Sequence, residues 1–208
     1  MPTTLVVVSD LHVGSTIGLC PPGIQLDDGG TYRASKAQRW LWDRWNEAWE
    51  YVAKVQKGDL WVVFNGDLVD GDHHNTHQLF SRSEEKQSDV CIDIIDPIVQ
   101  EATESFILRG TQSHVGQSGM WEERIARDLD TNGDEAAGTK TWWHLPLTCD
   151  SVRFDFAHFG KVGYRRWTLP NAANTLASEI MQDYFDTKGK APHVVVRSHS
   201  HQFVHTGM

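Results

Sequence analysis

Asp10-Leu11-His12 stands just past the apolar run Leu5 to Val8, and in an extended chain the i and i+2 side chains share one side. A carboxylate and an imidazole placed this way can reach the same ion. The same spacing returns in Ser198-His199-Ser200-His201, after the run His193 to Val196. Between them, Gly66-Asp67-Leu68-Val69-Asp70 follows Leu60 to Phe64, and His158 follows Val152 to Ala157. Glycine lets the backbone turn close to a ligand, Asp67 has two oxygens with which to bridge two cations, and Asp70 can orient a ligand from behind. Each pattern alone has an ordinary reading: Asp capping a turn, Gly-Asp as turn chemistry, a lone histidine satisfied in a core. Together, four such clusters at successive strand ends point to divalent cations held by carboxylates and imidazoles.

The apolar runs Leu5 to Val8, Leu60 to Phe64, Phe106 to Leu108 and His193 to Val196 read as buried strands, and Val152 to Ala157 as a further one. Between the first two, Leu41, Trp45, Ala48, Trp49, Val52 and Val55 recur at helical spacing and predict a helix within Ser35 to Lys57. Further helices are predicted in Ser83 to Glu104, interrupted near Pro97, in Gly119 to Leu129 and in Ala172 to Phe185. Strands alternating with helices imply a largely parallel sheet of the α/β class, whose ligand crevice lies beyond the strand C-termini, where the clusters stand. Asp130 to Gly138 reads as an exposed loop, and the nine Trp as core and helix-packing residues.

The 208 residues suit a single domain spanning 1–208, with 39% hydrophobic and 23% charged residues. A formal charge of −9 argues against a surface covered in nucleic-acid-binding cations, yet cations held by Asp and His would let a local site attract an anion. Cys20, Cys91 and Cys149 are widely spaced and suggest neither a disulfide framework nor a CxxC zinc site, and the N-terminal run meets Asp10 too soon for a signal peptide or membrane span. A soluble, cytoplasmic protein with no membrane partner is the expectation; the oligomeric state is not legible.

The ordered series DxH, GDxxD, a Gly-initiated His motif, a lone His and HxH, covering residues 10 to 201, resembles the calcineurin-like metallophosphoesterase family. The resemblance implies a four-layer αββα sandwich, two mixed sheets flanked by helices, with a shortened C-terminal sheet as a further expectation. It implies Asp10, His12, Asp67 and His201 around one metal, with Asp67 bridging to a second that His158 and His199 complete. The two divalent metal ions would be Mn, Fe or Zn, and a bridging hydroxide would attack a phosphate mono- or diester. Asp67 and His114 would be the catalytic residues, His114 stabilising the developing charge or protonating the leaving oxygen.

The chain departs from the family at Gly110-Thr111-Gln112-Ser113-His114, where Gly-Asn-His is usual. Thr111 matches the Asn by position; Gln112 offers the equivalent amide oxygen and is the expected ligand. Ser198 replaces a usual Gly, a change that is tolerated if its φ is negative. His73, His74 and His77, and the pair Arg165-Arg166, are candidates for contacting phosphate, with solvated loop residues as the alternative. The expected partner is a phosphate ester substrate. A nuclease acting on DNA or RNA, and a non-catalytic protein-binding scaffold on the same fold, remain as alternatives.

Overall fold

The computed structural model describes residues 2–73, 76–160, 168–187 and 189–204. Strand β1 (Thr3–Val8) is followed by the short strands β2 (Gly23–Gln25) and β3 (Thr31–Arg33), helix α1 (Lys36–Val55), β4 (Asp59–Phe64), α2 (Glu84–Glu101) and β5 (Glu104–Leu108). Helix α3 (Gln112–Val115), a 3-10 turn at Gln117–Gly119, and α4 (Met120–Asp128) then lead to β6 (Thr141–Trp142). Strands β1, β4, β5 and β6 pair in parallel, in the order β1-β4-β5-β6. The remaining elements are β7 (Leu145–Cys149), β8 (Val152–Phe156), α5 (Leu169–Asp186) and β9 (Val194–Val196). They supply a second sheet, β7-β8-β9, antiparallel in its first pair and parallel in its second.

Side chains alternate across a strand, and here the two faces of the parallel sheet find different partners. Val6, Val8, Val62, Phe64 and Ile107 pack with Ile94, Ile95 and Ile98 of α2, Ile125 of α4 and the inner stripe of α1. Leu5, Trp61, Val63, Phe106 and Leu108 meet Leu145, Leu147, Phe154, Phe156 and Val196 of the second sheet. Helices therefore cover one side of the parallel sheet and a mixed sheet covers the other, the α/β class that the alternation of runs implied. On the face of β8 opposite Phe154 and Phe156, the Tyr184 hydroxyl of α5 donates to Asp155 at 3.1 Å.

Helix α1 starts at a capping box, in which the Ser35 hydroxyl accepts from Gln38 N and the Gln38 side chain accepts from Ser35 N. Two expectations need correction. Helix α2 is not interrupted at Pro97, because the ring lies on the exposed face while Ile94, Ile95, Ile98 and Val99 bury the other side. The tryptophans are not uniformly interior: Trp42, Trp45 and Trp49 are partly buried against the core, whereas Trp40 and Trp143 are 60% and 56% exposed. The segment 130–138 is tied down as well as exposed, with Thr131 buried and Asn132 Oδ1 accepting from Ser105 N. Among the described residues no helix is long and apolar enough to cross a membrane.

Candidate metal centre

Beyond β1 and β4 the two chains stay side by side. Asp10 N donates to Gly66 O at 2.9 Å, His12 N to Asp67 O at 3.0 Å and Val13 N to Leu68 O at 2.9 Å, so the DxH and GDxxD segments form one double-stranded ledge. Two glycines make room for it. A Cβ at Gly66 would lie 2.5 Å from His158 Nδ1, and one at Gly110 would lie 2.2 Å from Asp67 Oδ1. The second sheet brings His158 from the end of β8 and His199 and His201 from the end of β9, with Ser198 N donating to His158 O at 2.9 Å.

The candidate ligands converge. Asp67 Oδ2 lies 3.0 Å from His158 Nε2 and 3.8 Å from His199 Nδ1. Asp10 Oδ1 lies 3.3 Å from His201 Nε2, which is 3.2 Å from His12 Nε2. Asp10-His12-His201, Asp67-His158-His199 and His12-Asp67-His114 each present ligand atoms close enough together to hold a cation. Asp10, His12, Asp67, His199 and His201 all have left-handed backbones, with φ of 56°, 45°, 53°, 71° and 50°. Side chains other than glycine adopt this conformation at a cost, and five of the nine such residues among those described stand at this one site.

Neighbouring groups fix the imidazoles. His12 Nδ1 donates to Asp70 Oδ1 at 2.9 Å and His158 Nδ1 to Asn65 O at 2.7 Å, so each ring turns Nε2 toward the cluster. Asp70, anticipated as an orienting residue, does this for His12, and its backbone oxygen also accepts from His114 Nδ1 at 2.8 Å. Burial works against the charge of Asp67, but hydrogen bonds from His158 and the Thr111 amide outweigh it and hold the carboxyl down to about 2. Asp70 is likewise held well below the usual carboxylate range, burial being outweighed by His114 and His12. Burial opposes protonation of His114 and of His158, yet Asp70 raises the one and Asp67 the other.

The donor set fits divalent cations. Asp10 Oδ1 is buried without a hydrogen-bond partner, and among the described residues Asp10, Asp67 and Asp70 form ion pairs with imidazoles alone. Hard carboxylate oxygens combined with imidazole nitrogens suit Mn, Fe or Zn.

Thr111, rather than Gln112, meets the cluster. Its amide donates to Asp67 Oδ1 at 2.5 Å and its hydroxyl to Asp67 Oδ2 at 2.9 Å, with His199 Nδ1 at 3.1 Å from the same hydroxyl. Gln112 opens α3 and its side chain is exposed, because the helix turns it away from the ledge. His114 stands edge-on to His12 at 4.6 Å and to His73 at 4.4 Å between ring centroids. His73 lies 3.7 Å from Asp70 Oδ2, and His77 is exposed. His74 and the pair Arg165-Arg166 lie outside the described residues. Ser198 is absent from the left-handed positions, which meets the condition for replacing glycine.

Two supporting residues were not anticipated. Asn65, fully buried, donates from Nδ2 to Ser198 Oγ at 2.6 Å and to Ala157 O at 3.3 Å, and so joins the ends of the two sheets. An Asn immediately before Gly-Asp at a strand end was the only local sign. Glu122, also fully buried, accepts from Leu68 N at 3.1 Å and Gly110 N at 2.6 Å, clamping the loops that carry Asp67 and Thr111. Burial pushes its carboxyl up to about 8 against the pull of those two amides.

A scan against models of known protein families finds no match to this chain, and a search among curated proteins finds none either.

Proposed function

We propose that this chain is a metal-dependent phosphoric ester hydrolase of the calcineurin-like metallophosphoesterase kind, acting on phosphate mono- or diesters from a two-cation centre. The observation that carries this reading is the convergence of Asp10, His12, Asp67, His158, His199 and His201 at the ends of two sheets, five of them in left-handed backbone. The four-layer αββα arrangement belongs to the same proposal; helices outside the parallel sheet and the Tyr184 contact of α5 outside the second sheet support it.

Asp10, His12, Asp67 and His201 would hold one cation, and Asp67, His158 and His199 the other, with the Thr111 hydroxyl beside them. When bound, such a pair lowers the pKa of a water and neutralises charge on the phosphoryl oxygens. The chain's own residues do the rest. Asp70 and Asn65 O keep the lone pairs of His12 and His158 directed at the centre. Thr111 N–H holds the Asp67 carboxylate in one orientation. His114 commits Nδ1 to Asp70 O, so Nε2 is the atom from which it can give a proton to the leaving oxygen, and the bonds to Asp70 favour its protonated form.

The test is hydrolysis of bis-p-nitrophenyl phosphate and p-nitrophenyl phosphate by metal-stripped protein resupplied with Mn²⁺. Turnover should require the metal and vanish in Asp67→Asn. His114→Ala should lower kcat by about 10²- to 10⁴-fold while Mn²⁺ content stays at the wild-type level. Protein that takes up no metal, or that takes it up and cleaves neither ester, would overturn the reading.

A further inference from the structure

An open cavity of about 610 Å³ adjoins the ligand cluster. Asp10, His12 and His201 line one side of it, and Leu41, Trp45 and Ala48, which share one face of α1, line the other. We propose that this cavity receives the organic part of a phosphate ester whose phosphoryl group lies over the cluster, and that the preferred organic part is an aromatic ring system rather than a polyol. The proposal rests on the phosphoesterase reading and adds the substrate class.

Three features favour the aromatic group. The volume falls within the roughly 300 to 1,000 Å³ of small-molecule sites, much more than a phosphoryl group alone would fill. The wall facing the cluster is hydrocarbon and indole, and Trp45 is braced edge-on by Trp49 at 5.6 Å between centroids, so a ring surface is held ready. A polyol would bury several hydroxyls that each need a partner. Apart from Asp70 and the candidate ligands, the polar groups lining the cavity are the Ser15 hydroxyl, the Trp45 indole N–H and the half-exposed Arg44 guanidinium, which pairs with Glu47, too few for the hydroxyls of a polyol.

The wall is also fixed in place. Gln38 Nε2 donates to Ser15 O at 2.9 Å, and the Ser35 cap closes the first turn, so α1 is locked to the loop that leaves β1. Ile17, 65% exposed on that loop, forms part of the rim. A rigid, preformed apolar wall binds a flat group without ordering new chain, which is the condition for selectivity between substituents.

The experiment uses Mn²⁺-loaded full chain and two probes whose carbon–phosphorus bond resists hydrolysis, methylphosphonate and 1-naphthylmethylphosphonate, titrated calorimetrically. The naphthyl probe should bind at least about tenfold more tightly. Ala48→Trp, a change at an exposed position of α1 that fills the cavity, should bring the two affinities together. Ile17→Asp, at the rim, should reduce the same ratio, and Mn²⁺ content at the wild-type level would certify both variants as folded. Equal affinities in the wild-type chain, no binding of either probe, or a ratio unmoved by both substitutions would overturn the proposal. Turnover of bis-p-nitrophenyl phosphate, run in parallel, separates the two ideas. Turnover with equal phosphonate affinities would sink the cavity assignment alone, and a tenfold preference without turnover would sink the hydrolase reading while leaving the cavity as an aryl-selective site.

Discussion

Asp67 and Asp155 are each 1% exposed, each meets a histidine, and each carboxyl is held down to about 2 although burial works the other way. Their surroundings part company in the cations. Asp155 accepts from His144 Nε2 at 2.7 Å, from Arg197 Nη2 at 2.5 Å and from the Tyr184 hydroxyl at 3.1 Å, so its charge is compensated within the protein. Asp67 has His158 and Thr111, and the neighbouring Asp10 and Asp70 have ion-pair partners among the described residues only in histidines. The network around Asp155 is a finished structural lock, whereas the Asp67 cluster gathers three carboxylates and strained backbone that, among the described residues, meet no Lys or Arg. Uncompensated buried charge is costly, and it persists where a ligand offsets it.

The largest expected effect breaks the finished lock. Asp155→Asn leaves Arg197, 14% exposed, without its carboxylate and should cost about 3 to 5 kcal/mol in urea unfolding at neutral pH. Asp67→Asn in metal-free protein weakens the pairing with His158 and the Thr111 amide and should also destabilise the fold, but it strands no guanidinium and should cost less. Equal losses at the two positions would erase the distinction between lock and site.

Next comes the response to metal. Mn²⁺ at a hundred times its Kd should stabilise the wild-type chain by about 2.7 kcal/mol. Asp155→Asn should keep this increment on its lower baseline, and Asp67→Asn should lose it. Thermal unfolding with and without Mn²⁺ reads both, and an increment surviving Asp67→Asn would mean that the cation binds elsewhere.

Acid sharpens the comparison by about 2 kcal/mol. Asp155 titrates at about 2 in the folded chain against an ordinary 3.8, so its ionised form stabilises the fold fully above 3.8, and that contribution is lost as pH falls toward 2. The stability difference between wild type and Asp155→Asn should therefore be widest near neutrality and narrow by about 2 kcal/mol at pH 2. A difference that stays constant with pH would show that the lock acts by packing and not by charge.

What the sequence disclosed follows the range over which each residue acts. Asp10, His12, Asp67, His158, His199 and His201 all stand within five residues of the end of an apolar run, so the strands deliver them to one edge, although five of them reach it in left-handed rather than extended backbone. The parallel sheet was legible for the same reason, since β1, β4 and β5 carry continuous apolar runs. The division into two sheets was not: the runs of β8 and β9 read as strands, but β9 spans only three residues and β7, which contains Pro146, gave no run to pair them with. Chemistry preferred an amide oxygen and pointed to Gln112, but position decided: α3 begins there and leaves Thr111 on the ledge. Glu122 and Asn65 work through partners 54 and 133 residues away, which no local pattern reveals.

Asn65 gives the smallest and most diagnostic effect, because it joins the half of the site built on the ledge to the half built on β9. Asn65→Ala removes the hydrogen bonds to Ser198 Oγ and Ala157 O and should cost about 1 kcal/mol for each, with the backbone oxygen that orients His158 retained. His158 is fully buried and stays in place, while His199 and His201, 43% and 56% exposed, depend on the tie for their register. Mn²⁺ affinity should therefore fall by more than stability alone accounts for. Ser198→Ala removes one end of the same tie, so the double variant should lose less than the sum of the singles, with a coupling of about 0.5 to 1 kcal/mol. Strict additivity, or unchanged Mn²⁺ affinity in both single variants, would mean that the two sheet ends hold their register independently and that the cations draw the histidines in.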